Sequence, residues 1–231
     1  MIDATNNEIE SLVREVVKNV SSVPVQRTAP LRAIRKKISK TVSGFSPKSV
    51  LALSYSLMDR PEFVYHWFAF EMIENHPATL KSLRAKEIQR LGKGLDSWYS
   101  VDAFACCLSG KAWREKQIST ALIHTWAGSK NFWYRRAALV STVPLNNTAR
   151  GGTGDTKRTL SVCEMLVHDR EDMVVKALSW ALRELSKKDP KAVQRFVSAH
   201  RPRLAPRVIR EVNAKLSTGL KNPRRTATKI R

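Results

Sequence analysis

The chain has 231 residues, and 41 Lys+Arg set against 20 Asp+Glu leave a formal charge of +21. The apolar fraction of 42% suits a globular core of sizeable extent, and no run approaches the ~18 apolar residues of a membrane span. Three cysteines, two of them adjacent, and five scattered histidines give neither a disulfide framework nor metal-ligand spacing, so no metal and no cofactor is expected.

The N-terminus, MIDATNNEIESLVREVV, has no basic segment followed by an apolar one, so no secretory signal is expected. A reducing, cytoplasmic setting follows, and the positive field would hold the protein at a polyanion such as nucleoid DNA. The basic residues are interleaved along the whole chain, which favours a phosphate backbone over a membrane surface as partner.

The apolar periodicity is helical throughout. It predicts helices over 7–20, 30–42, 47–58, 61–75, 78–92, 96–109, 112–127, 130–142, 158–168, 171–187, 190–199 and 205–217. Asn6 or Asn7 is the expected first cap, and Ser46-Pro47 and Asp189-Pro190 open later helices with proline in the first turn. Gly44, Gly110 and Gly128 are expected just past helix ends. Segments opening at Pro61, Asp96, Lys130 and Arg170 are alike and recur roughly every 34–40 residues, the range of HEAT-type helical pairs. The expected fold is therefore all-α, an α-solenoid of HEAT-like antiparallel helix pairs with a concave basic face. It would fill 1–220 as a single domain. PLNNTARGGTGDTKR, Pro144 to Arg158, reads as a mobile linker, and GGTGDTK does not fit a phosphate-cradling loop. Ten Lys/Arg against the single acid Glu211 in 201–231 mark a basic terminus, with a disordered tail over 221–231.

At 100° per residue, helix 30–42 places Lys36 and Lys40 with Arg32 on the face opposite Leu31, Ile34 and Ile38. In helix 96–109, Trp98 and Asp102 are four apart and share a face, with small Ala105 and Ser109 further along it, a shallow recess beside an indole and a carboxylate. Helix 130–142 contributes Trp133, Arg135 and Arg136. In helix 171–187, Lys176, Trp180, Arg183 and Lys187 fall together, away from the apolar face. Basic stripes on successive helices are the feature expected of a duplex-binding surface. Each also has an ordinary reading: Trp180 packing on a neighbouring helix, Asp102 in a helix-surface ion pair, and lysines on solvated faces.

WYSVD (Trp98 to Asp102), RRAAL (Arg135 to Leu139) and KALSWALRELSKKDP (Lys176 to Pro190) together resemble the signature segments of the bacterial DNA alkylation repair glycosylases of the AlkD type. The GFSP at Gly44 to Pro47 sits at a similar turn, and the resemblance runs over roughly 30–215. It implies a HEAT-like solenoid that binds duplex DNA and hydrolyses the N-glycosidic bond of N3- and N7-alkylated purines. The base would not be flipped into a pocket, and the protein would act as a monomer without a lyase step. By the same resemblance Asp102 matches the catalytic aspartate, Trp98 and Trp180 the two cleft tryptophans, and Arg136 a DNA-contacting arginine. Lys176 and Arg183 fall in the matched segment as backbone contacts. One departure stands out: the family's tyrosine before the Gly turn is missing, and RAIRKKISKTV occupies that stretch. The alternatives are a non-catalytic HEAT-repeat protein that binds distorted or branched DNA, and a protein–protein scaffold.

Overall fold

A computed structural model describes residues 1–23 and 28–223. The basic tail anticipated at 221–231 lies for the most part outside the described residues. The chain divides into two compact units, Met1–Ser119 and a second from Thr120 onward.

The first unit is built from α1 (Asn6–Ser21), α2 (Thr28–Thr41), α3 (Pro47–Met58), α4 (Phe63–Glu74), α5 (Pro77–Ser82), α6 (Ala85–Leu91), α7 (Trp98–Phe104) and α8 (Gly110–Arg114). Consecutive helices pair, α1 with α2 and α3 with α4. Alternate helices stack into two layers, α1 on α3 and α2 on α4 on α7. This is the HEAT-like arrangement expected from the sequence. Ile9, Leu12, Val16 and Val20 of α1 recur at helical spacing and are buried against Ile38, Leu53, Leu57, Phe68 and Met72. The N-terminus is pinned to the turn after α2, where the Ile2 N–H donates to the Gly44 carbonyl and Ser46 N–H to Ile2.

The second unit contains α9 (Thr120–Ala127), α10 (Phe132–Val140), α11 (Val143–Asn146), α12 (Thr156–Met165), α13 (Asp172–Leu185), α14 (Pro190–His200) and α15 (Pro206–Thr218). Here α9 and α12 form one layer, and α10, α13 and α15 the other. Its centre is α13, whose Val174, Ala177, Leu178, Ala181, Leu182 and Leu185 are buried.

Several boundaries differ from the expectation, each for a local reason. The first cap is Thr5, whose side chain accepts from Glu8 N–H while Glu8 reaches back to Thr5 N–H, a reciprocal capping box. The single helix expected over 78–92 is two, parted at Leu83 and Arg84. The carbonyls freed there accept from the Gln117 side-chain amide, at 2.8 Å for Leu80 and 3.0 Å for Lys81 and Leu83. Gly110 ends no helix; it continues from a π-helical turn, Ala105–Ser109, into α8. The stop comes at Lys116, which takes φ 60° and donates its N–H to the Trp113 carbonyl. A lysine in that left-handed position gives no sequence signal of the kind a glycine would.

The Gly-rich stretch is a bonded structure and not a linker. Gly152 N–H donates to Asn147 and Gly154 N–H to Leu145, both at 2.9 Å. The buried Asn146 amide bonds the Thr142 carbonyl and the Thr159 hydroxyl, and its carbonyl accepts from Asp155 N–H. A Cβ on Gly152 would meet the Pro144 carbonyl oxygen at 2.6 Å, so the close backbone approach requires glycine.

Candidate active site and nucleic-acid contacts

In the first unit, α7 begins where Ser97 and Ser100 satisfy one another: Ser97 N–H donates to Ser100 Oγ, and that hydroxyl donates to the Ser97 carbonyl at 2.9 Å. The helix then turns Val101 and Phe104 into the core, with Phe104 edge-on to Phe70 at 5.8 Å. Trp98, Tyr99 and Asp102 fall on the other side, since positions three and four apart share a helix face. Trp98 is 53% and Tyr99 44% exposed, the two exposed aromatic side chains among the described residues. Asp102 is half-buried. The two rings meet edge-on at 5.7 Å, and Tyr99 meets Phe63 of α4 edge-on at 4.5 Å.

Directly after this face comes the π-helical turn, closed by the Gly110 N–H donating to the Ala105 carbonyl. Such one-residue expansions re-aim the side chains on either side of them. Ala105 and Ser109 are both buried, so the recess expected from them on straight helical spacing does not form on that side. Tyr99 is the residue the sequence reading passed over. Its signal was the adjacent aromatic pair in WYSVD, three and four residues ahead of the acid.

Lys36 and Lys40 of α2 are exposed. Their neighbour Arg32 is taken up by Glu71, at 2.8 Å, which also faces the buried Arg35 at 3.4 Å. That carboxylate holds the Arg32 guanidinium more firmly charged than usual, chiefly through the hydrogen bond between them.

In the second unit, Arg136 on α10 is only 5% exposed and donates through Nη1 to the Met173 carbonyl at 2.6 Å, tying α10 to the first turn of α13. Arg135 clamps loops: its Nε meets Asp169 Oδ2 at 2.6 Å, and Nη1 donates to the Ser129 and Lys130 carbonyls. Trp133 is half-buried and lies against Phe132, centroids 4.5 Å apart. On α13, Lys176 and Trp180 are half-buried, four residues apart. Lys176 Nζ pairs with Asp172 at 2.6 Å. Arg183 turns inward: Nε donates to Ser179 Oγ at 3.2 Å and faces Glu211 of α15 at 3.9 Å. Burial pulls its pKa below the usual arginine value, with Glu211 and Glu184 opposing. Of the cations the sequence sets on one side of α13, Lys176 faces Asp172 and Arg183 turns toward Glu211, each a carboxylate of its own unit.

No group of three His, Cys, Asp or Glu side chains suited to a metal ion occurs among the described residues, and no helix there is long and apolar enough to cross a membrane. What the α7 face offers chemically is a carboxylate on the same side of the helix as two exposed aromatic residues. That combination stabilises positive charge, through the anion directly and through the ring quadrupoles.

No curated protein matches the chain. Among solved structures, a predicted DNA alkylation repair enzyme from Enterococcus faecalis is similar over 94% of this chain and 99% of its own, with a TM-score of 0.67 and 17% identity. At that identity the likeness is one of fold. The family model for DNA alkylation repair enzymes matches residues 5–216, nearly the whole chain. The chain thus belongs to the DNA alkylation repair enzyme family.

Proposed function

We propose that the protein is a monofunctional DNA glycosylase that hydrolyses the N-glycosidic bond of N3- and N7-alkylated purines in duplex DNA. The observation that carries this reading is the α7 face, where Asp102 shares one side of the helix with two exposed aromatic rings. An alkylated, cationic purine is already a good leaving group, so no general acid is needed. The barrier lies in the oxocarbenium-like sugar that develops as the bond to the base breaks. The Asp102 carboxylate would stabilise that cation and orient or deprotonate the attacking water. The Trp98 face adds cation–π attraction of ~0.5–2 kcal/mol.

Trp180 is assigned the second indole of the reaction by the resemblance of its segment. Lys36 and Lys40 are assigned to duplex phosphates because both are exposed, and Lys176 by the resemblance of its segment. Arg136, Arg135, Arg183 and Trp133 are assigned a smaller part, positioning the helices that present those contacts, because their side chains already serve carbonyls, carboxylates and rings. No base-sized pocket is needed if the lesion is engaged without being flipped, and the reading assigns no lyase step because α7, which carries Asp102, contains no lysine.

The test is release of free base from a duplex carrying a single N7-methylguanine, by wild type and by Asp102→Asn. Release by wild type, reduced about 10²–10³-fold in the variant with unchanged duplex affinity, is the expected outcome. Equal release by both proteins removes Asp102 from the chemistry. Tight, salt-sensitive duplex binding with no release of this base or of a bulkier N3-adenine adduct identifies a binding protein instead.

A further inference from the structure

At the far end of the helical run that begins at Trp98, ~18 Å along it from Asp102, a cleft opens where α8 ends beside α5 and the start of α6. Its volume is about 770 Å³. Pro77 and Leu80 give it an apolar side, and Lys81, Arg84 and Lys116, all exposed, line it with positive charge. Arg114 adds little net charge, because its Nε meets Glu115 Oε1 at 2.8 Å. Another cleft of this unit, about 480 Å³, differs in kind: Asp59 lines it, and its Arg90 covers the Tyr55 ring at 3.6 Å.

The backbone around the basic cleft is arranged for an anion. Carbonyls at the end of α5 would repel one, since a helix C-terminus carries partial negative charge. Here they are covered. The Gln117 side-chain amide donates to the Leu80, Lys81 and Leu83 carbonyls, and Arg84 Nη1 donates to those of Lys81 and Leu83 at 2.9 and 2.8 Å. The end of α8 is closed by Lys116 N–H donating to the Trp113 carbonyl at 3.1 Å and Gln117 N–H to that of Ala112 at 2.8 Å. This pair of bonds ordinarily sets glycine at the left-handed position. Lys116 holds it instead, at φ 60°, the one non-glycine residue with positive φ among the described residues. A lysine is sterically costlier there, and what it adds over glycine is an ammonium group at the cleft.

We propose that this cleft binds a free nucleotide, with its phosphates against Lys81, Arg84 and Lys116 and its base on Pro77 and Leu80. The volume falls within the ~300–1,000 Å³ of small-molecule sites. A DNA backbone would need the cations and little else. The apolar side is what a ligand carrying its own ring face uses in addition.

The experiment is calorimetric titration of the full chain with ATP, and with adenosine, at constant salt. Wild type is expected to bind one ATP per chain, with adenosine weaker by about tenfold or more. Lys81→Gln combined with Lys116→Gln should weaken ATP binding about tenfold. Lys48→Gln combined with Lys191→Gln removes equal charge at exposed positions remote in sequence, and should leave ATP binding unchanged. Lys116→Gly separates binding from packing: its urea midpoint should hold or rise, because glycine suits φ 60°, while ATP binding falls severalfold. Absence of saturable ATP binding at millimolar concentration, equal loss in the two double variants, or a glycine variant that binds ATP as wild type does, each overturns the site. A fall in duplex affinity with ATP binding intact in the Lys81 and Lys116 double variant overturns it too, and assigns the cleft to DNA.

Discussion

Helices α7 and α13 present the same spacing with opposite signs. Trp98 lies four residues before Asp102, and Trp180 four residues after Lys176. On α7 the aromatic rings are exposed and the helix gives way within two turns to a buried π-helical segment. On α13 the helix runs for 14 residues, its tryptophan is half-buried, and its charges are paired: Lys176 with Asp172, Arg183 with Glu211, and Glu184 with Lys187 just past the helix end. The difference separates two uses of one pattern. An exposed ring pair contributes little to packing, whereas the cations of α13 are engaged with carboxylates of their own unit.

The largest effect that would break this comparison is on stability. Glu211 is buried, accepts the Ser179 hydroxyl at 2.6 Å, and faces Arg183, Arg207 and Lys221. Removing it leaves Arg183 without its main counter-charge. Glu211→Ala is expected to cost about 3 kcal/mol in urea unfolding; a loss under about 1 kcal/mol would show that the stripe is not structural. The two tryptophans sharpen the same point at smaller scale. Trp98→Ala should change stability by no more than about 0.5 kcal/mol while base release falls at least tenfold. Trp180→Ala should cost about 1–2 kcal/mol as well as activity, because part of its ring is packed. Matching unfolding midpoints for the two variants would erase the distinction drawn between α7 and α13.

What was legible in the sequence follows the reach of each interaction. Ser46-Pro47 and Asp189-Pro190 start helices at the residues expected, since a cap and a proline act within one turn. WYSVD placed its acid and indole on one face for the same reason. The split between α5 and α6 depends on Gln117, more than 30 residues away, and left no mark on LKSLRAK. The same holds for the cations. RRAAL and ALRELS show that arginines are present, but not that Arg135 is committed to Asp169 and Arg183 to Ser179 and Glu211. The glycines at 152 and 154 look permissive in isolation; only the approach of the 144–147 backbone shows that one is required for closeness. Tyr99 is a further case, readable from spacing yet given meaning only by Phe63 on a different helix.

The smallest effect concerns Lys176, the α13 residue on which structural and binding roles compete most evenly. Its ammonium hydrogen-bonds the Asp172 carboxylate, which holds that acid below the usual carboxylate range; burial opposes slightly and Arg207 adds to the lowering. Both side chains are about half in solvent, so Lys176→Ala should cost only a few tenths of a kcal/mol near neutral pH. The sign follows from the depressed pKa. The folded state holds the proton less tightly than the unfolded one, so the contribution is full above the unfolded value and fades as pH falls through the lower, folded one. The wild-type and variant unfolding midpoints should therefore converge below about pH 4. Duplex binding measured against salt supplies the other arm. If Lys176 leaves Asp172 for a phosphate, the slope of log affinity against log salt should shrink by about one in the variant. An unchanged slope would confine Lys176 to its helix, and the duplex contacts would then fall to Lys36 and Lys40.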